Sequence, residues 1–117
     1  MRKVVYYLST CDTCKKIMNQ LNLENFDVID IKDNPLSEPQ LLELYAITEQ
    51  YEALFNKRAI KFRQQGLNKE VLTENDFKKL LLEEYTFLKR PVFLINGELY
   101  IGNAKKTVEQ LKDRIGK

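Results

Sequence analysis

Cys11 and Cys14 are the only cysteines in the 117-residue chain, and they stand at C-x-x-C spacing directly after the apolar run Val4-Val5-Tyr6-Tyr7-Leu8. The chain has no histidine. A thiol on the first turn of a helix is stabilised as thiolate by unpaired backbone N–H groups and the positive end of the helix dipole, so it is nucleophilic near neutral pH. The neighbours Ser9, Thr10, Asp12 and Thr13 are polar and read as an exposed loop and helix cap, not as packing for a buried sulfur. Lys15 and Lys16 favour a charged sulfur and Asp12 opposes it, so the expected net shift of the Cys11 pKa is downward. Cys14 falls one turn below Cys11 on the same side of the helix. It either resolves a mixed disulfide formed at Cys11 or packs against a sheet with Ile17 and Leu21. A zinc site requires four ligands, which two cysteines without histidine do not supply, so no metal is expected.

The elements that must hold these thiols follow from the apolar pattern. Val4 to Leu8 is apolar throughout, as a strand covered on both faces should be, and Cys14, Ile17 or Met18, and Leu21 then recur at helical spacing. Phe26, Val28 and Ile31 resume the run as a second strand. Two strands joined by a helix are expected to lie parallel with a right-handed crossover, which places the Cys11 loop at the carboxyl end of the first strand, where open α/β sheets carry their chemistry. Residues 37–88 read as helical. Ser37-Glu38-Pro39-Gln40 has the capping-box form, Leu41, Leu44 and Tyr45 and then Tyr51, Leu54 and Phe55 make two apolar stripes, and a further helix from Thr73 carries Phe77, Leu80, Leu81, Tyr85 and Leu88. After Pro91, Val92-Phe93-Leu94-Ile95, Asn96-Gly97 and Leu99-Tyr100-Ile101 give a hairpin signal, and a last helix places Ala104, Val108, Leu111 and Ile115 on one face. The expected order is β-α-β, a helical block, then β-β-α.

Composition narrows the class. With 44% apolar and 31% charged residues the chain reads as one ordinary domain with its own core, and no apolar stretch approaches the ~20 residues that span a bilayer. Met1-Arg2-Lys3 and the short apolar run lack the form of a signal peptide, so the chain reads as cytoplasmic. In that compartment thiols are kept reduced, and a C-x-x-C pair reads as catalytic or sensing, not as a structural disulfide. A net charge of +2 with both signs interspersed gives no pull on nucleic acid or membranes. The run from Lys57 to Arg63, with Lys57, Arg58, Lys61 and Arg63, either holds a small anion or is a solvated face.

The strand order, the Cys-containing loop after the first strand and the proline opening the third resemble the thioredoxin-like fold. With its helical insertion the chain looks, over nearly its whole length, like the family that contains the glutaredoxin-coupled arsenate reductases and the Spx redox regulators. The matching motifs are Cys11-Asp12-Thr13-Cys14-Lys15-Lys16, Asn34-Pro35-Leu36-Ser37, Arg58, and Leu88-Lys89-Arg90-Pro91. The resemblance implies one α/β domain over residues 1–117, with a mixed four-stranded sheet and a helical insertion at about 37–88. It also implies that Cys11 is the nucleophile, that Arg90 and Arg58 are two of the family's oxyanion-binding arginines, that Thr13 and Lys15 lie on the substrate side, and that Pro91 is cis and faces the cysteine. The family's third arginine has Gly102 in its place, its basic residue after the nucleophile is Lys15, and its upstream histidine is Tyr7. A lysine only partly replaces the planar fork of an arginine. On the reductase side the implied activity is reduction of arsenate to arsenite through a Cys11 adduct, without metal or organic cofactor, with reducing equivalents from glutathione and glutaredoxin or from thioredoxin. On the regulator side, Cys14 matches the second cysteine of Spx proteins, which switch between dithiol and disulfide and bind the RNA polymerase α-subunit.

Overall fold

The computed structural model describes residues 2–116. Its elements run β1 (Lys3–Tyr7), α1 (Asp12–Met18), β2 (Asp27–Asp30), α2 (Glu38–Thr48), α3 (Ile60–Gln64), α4 (Glu74–Glu83), β3 (Val92–Ile95), β4 (Glu98–Ile101) and α5 (Lys105–Ile115), with short 3₁₀ turns at Glu52–Leu54, Leu67–Lys69 and Tyr85–Phe87. The chain divides into two compact units: one is built from the segment up to Asn34 together with the segment from Arg90 onward, the other is Pro35–Lys89.

The first unit holds a four-stranded mixed sheet in the order β2-β1-β3-β4. β1 runs parallel to β2 and antiparallel to β3, with Tyr6 opposite Val92. As the run of apolar residues predicts, β1 is sealed on both faces: Val4, Val5 and Tyr6 are fully buried. Asn96 and Gly97 have φ of 49° and 86°, the positive angles that a two-residue type I′ turn requires, so the β3–β4 hairpin forms where expected. Val5, Phe93 and Ile95 pack with Ile17 and Leu21 of the α1 segment and Leu111 of α5, and Val108 and Ile115 edge the same cluster. Ala104, expected on that apolar face, is instead the exposed residue at which α5 starts. β2 is an edge strand, and Val28, read as part of its apolar run, is left exposed.

In the second unit both predicted caps form. Ser37 and Gln40 close a capping box on α2, and Thr73 and Asp76 close another on α4. Two helical stripes break sooner than their spacing suggests. α2 ends at Glu49, in the left-handed region, and the Glu74 carboxylate then accepts hydrogen bonds from the Tyr51 and Glu52 N–H groups (2.6 and 3.1 Å), so Tyr51–Phe55 becomes a 3₁₀ turn and not a second helix. α4 stops at Glu83, before Tyr85 and Leu88. Glu84 is extended, its carboxylate caps the Thr86 N–H, and Leu88 leaves the helical path to form a β-bridge with Phe55. The attraction is aromatic: Phe55 contacts Phe62, Phe77 and Phe87 with ring centroids 5.0–5.5 Å apart.

Glu49 pays a steric cost at φ 59°, a conformation that glycine adopts freely. Glu49→Gly is therefore expected to stabilise the fold by about 0.5–1 kcal/mol, read as a higher urea midpoint at unchanged slope. A lowered midpoint would contradict this.

Candidate functional site

β1 ends at Tyr7, and the chain turns at once. The Cys11 N–H donates to the Leu8 carbonyl (2.9 Å), closing a four-residue turn that delivers Cys11 to the start of α1 as its N-cap, at φ −97° and ψ 107°. The turn is anchored from β2. The Asp30 carboxylate accepts the Ser9 N–H (3.2 Å) and the Lys32 N–H (3.1 Å), and the Ile31 N–H donates to the Tyr7 carbonyl (2.9 Å). Burial disfavours the Asp30 anion, but the Ser9 hydroxyl, the Lys32 and Ser9 N–H groups and the Lys32 charge outweigh it and hold its pKa below the usual carboxylate range.

Arg90 arrives from the other side of β1. It precedes Pro91 through a cis peptide bond and leads into β3, whose first residue, Val92, lies opposite Tyr6 near the carboxyl end of β1. Sheet register thus brings the guanidinium to the Cys11 turn. There is a consequence for both sulfurs. Partial burial raises the Cys11 pKa, but the Cys14 N–H, the Cys14 thiol and the Arg90 guanidinium, acting as charge and as hydrogen-bond donor, together pull it below its ordinary 9.0. The Cys11 side chain closes no capping hydrogen bond, so the Cys14 N–H acts on the sulfur without the tight geometry of a serine cap. Cys14 is fully buried, and burial pushes its thiol up to about 12, with the Leu8 N–H and Arg90 opposing and the neighbouring Cys11 reinforcing the rise. Cys11 is partly exposed with a lowered pKa; Cys14 is sealed and holds its proton. Both are free thiols.

The remaining candidates are placed less centrally. Thr13 and Lys15 are exposed on α1. Lys15 stands 3.9 Å from Asp12, and both are well exposed, a loose pair of little energetic weight. The cation that acts on Cys11 most strongly is Arg90, which sequence distance hides, and not the adjacent Lys15. Gly102 has φ 86° and donates its N–H to the Pro91 carbonyl at 2.9 Å, so the backbone at this position favours glycine over any arginine. Tyr7 is half-buried on β1. Arg58 belongs to the Pro35–Lys89 unit, exposed in the turn before α3, where its N–H donates to Asn56 Oδ1 at 3.0 Å. The basic run around it is partly neutralised: Lys57 pairs with Glu52, and Lys61 with Glu84 at 2.8 Å. Asp30 carries the one role in the site that residue patterns do not announce. The available signal is an Asx residue ending a strand, which marks a turn and not its partner across the sheet.

Among the described residues no group of three or more metal-ligating side chains gathers, and no helix is long and apolar enough to cross a membrane.

The sequence profile of the ArsC family matches residues 6–111. The chain is 28% identical over 102 residues to global transcriptional regulator Spx 2 of Bacillus anthracis, covering 85% of this chain and 78% of that one. It is 27% identical over 117 residues to regulatory protein MgsR of Bacillus subtilis, covering 90% and 93%. Among solved structures, an arsenate reductase from Vibrio cholerae superposes with a TM-score of 0.74 at 19% identity over 97% of both chains, which bears on the fold. An arsenate reductase-related protein from Brucella melitensis does so with a TM-score of 0.68 at 25% identity over 94% of this chain and 93% of that one.

Proposed function

We propose, from the premise that the chain belongs to the ArsC family, that Cys11 is the nucleophile of a thiol–disulfide reaction and Cys14 the thiol that resolves it. The observation that supports this most is the asymmetry of the pair: Cys11 is partly exposed with a lowered pKa beside Arg90, and Cys14 is buried with a raised one. The Cys11 thiolate attacks a disulfide sulfur, expelling one thiolate and forming a mixed disulfide; Cys14 then loses its proton and attacks Cys11, releasing the second thiolate and leaving a Cys11–Cys14 disulfide. With arsenate in place of the disulfide, Cys11 displaces one arsenate oxygen, which leaves as water, and forms a sulfur–arsenic bond; attack by Cys14 or glutathione on the Cys11 sulfur forms a disulfide and breaks that bond, leaving its electron pair on arsenic and releasing arsenite. Arg90 stabilises the anion at each stage, and Lys15 and Thr13 serve substrate binding, as the family resemblance also implies for Arg58. Glutathione with glutaredoxin, or thioredoxin, returns the protein to the dithiol.

A second reading is favoured by the names of the relatives and by Gly102, which stands where the reductases carry a third arginine. In it the Cys11–Cys14 disulfide is a switch, and the protein face it alters binds the RNA polymerase α-subunit.

Two assays on the same preparation separate these readings. Arsenate-dependent consumption of reductant, lost in Cys11→Ser, is expected of the reductase. Capture of the α-subunit that differs between reducing and oxidising buffer, without such consumption, is expected of the regulator. Turnover retained in Cys11→Ser would refute the nucleophile assignment.

A further inference from the structure

We propose that Asp30 is a positioning residue for the Cys11 thiolate, an acceptor of hydrogen bonds from the Ser9 N–H and hydroxyl and from the Lys32 N–H that clips the Leu8–Cys11 turn to the end of β2. This rests on the reading of Cys11 as the reactive thiol. In a turn closed by the Cys11 N–H and the Leu8 carbonyl, the Ser9 N–H points away from the turn's own hydrogen bond and must find a partner elsewhere. Asp30 supplies it at 3.2 Å and takes the Lys32 N–H at 3.1 Å with the same oxygen. The strand register sets Asp30 opposite Tyr7 in the last pair of β1 and β2, so its carboxylate reaches from the end of the ladder to the turn that follows. One carboxylate therefore holds the strand end before Cys11 and the turn after β2 in fixed relation. Cys11, two residues beyond Ser9, depends on that relation to meet both the Cys14 N–H and Arg90.

The two possible actions of Asp30 on Cys11 have opposite signs. A nearby anion by itself disfavours a second anion, so loss of charge alone lowers the Cys11 pKa. Loss of the acceptor opens the turn, weakens the alignment with Cys14 and Arg90, and raises it. Asp30→Asn removes the charge and keeps an acceptor oxygen; Asp30→Ala removes both. The other charges at the loop are Arg90, which acts on Cys11, Lys32, which acts on Asp30, and the exposed Asp12–Lys15 pair, and neither variant alters them.

The test is the pH profile of Cys11 alkylation by iodoacetamide, located by mass spectrometry, in the wild-type protein and both variants. Asp30→Ala is expected to move the apparent pKa upward by about 0.5–1 unit and, because a less acidic thiolate is also a better nucleophile, to slow labelling at pH 7 only about two- to fourfold, whereas the apparent pKa of Asp30→Asn stays within about 0.3 unit of wild type. An Asp30→Ala profile that is unmoved or moved downward overturns the proposal, and so does an Asp30→Asn profile as slow as that of alanine. A wild-type profile at the ordinary thiol value removes the reading of Cys11 itself, and this proposal with it. Should Asp30→Ala fail to fold, amide hydrogen exchange in the wild-type protein decides: the Ser9 N–H is expected to be protected, and exchange at the rate of an open loop overturns the clip.

Discussion

Iodoacetamide at neutral pH is expected to label Cys11 in the folded protein and to leave Cys14 intact. The Cys11 pKa is held below its ordinary value and that of Cys14 is pushed up to about 12, so at pH 7 the thiolate fraction is far greater at Cys11. A more acidic thiolate is a poorer nucleophile, with a Brønsted slope of about 0.45, so nucleophilicity takes back somewhat less than half of that advantage on a logarithmic scale and the remainder still favours Cys11. Burial widens the difference, since the Cys14 sulfur has no surface open to reagent. The Cys11 rate should climb tenfold per pH unit and level off below pH 9, because a lowered pKa makes the thiolate available earlier as pH rises. Arg90→Ala removes a charge that favours the thiolate, so its plateau should begin at higher pH. In Cys11→Ser the fast label should vanish. Equal labelling of both cysteines in folded protein would show that the asymmetry is absent, and with it the division of roles between the two sulfurs.

The second large effect is structural. Phe55 is almost wholly buried in the Pro35–Lys89 unit, where its ring meets Phe62, Phe77 and Phe87 and its backbone bridges Leu88. Phe55→Ala is expected to cost about 3–5 kcal/mol, because the site loses both the transfer free energy of the ring and the contacts of three aromatic neighbours that cannot all close on the space. That is a large share of the stability of a small domain. Urea unfolding followed by circular dichroism measures it. A loss under about 1 kcal/mol would mean that the cluster collapses around alanine and that the extended path of Leu88 has another cause.

Most of the frame was readable from local patterns. Val4 to Leu8 needs no partner to be recognised as a strand sealed on both faces, and Asn96-Gly97 specifies its turn by the angles those residues tolerate. The Ser37 and Thr73 caps are equally local, each complete within four residues. Where the helical stripes broke early, side chains outside the stripe had intervened. Tyr51–Phe55 has helical spacing, yet Glu74 takes the N–H groups of Tyr51 and Glu52. Tyr85 and Leu88 continue the stripe of α4, yet Glu84 caps a new turn and Phe55 draws Leu88 away. A short apolar stripe specifies a face to bury, and several backbone paths bury the same face.

Residue type and spacing were enough to mark Cys11 as a thiol at a helix start and to forecast the direction of its pKa. They could not identify what sets it. Lys15 is close in sequence but leans to Asp12 in solvent, whereas Arg90, 79 positions away, is carried to the sulfur by the pairing of β3 with β1. Asp30 reaches the same loop through the pairing of β2 with β1. Helix starts, caps and turns are governed by interactions within a few residues, so they can be read in order along the chain. The electrostatics of a buried or half-buried sulfur depend on whichever groups the sheet register gathers around it, and that register exists only once the strands have met.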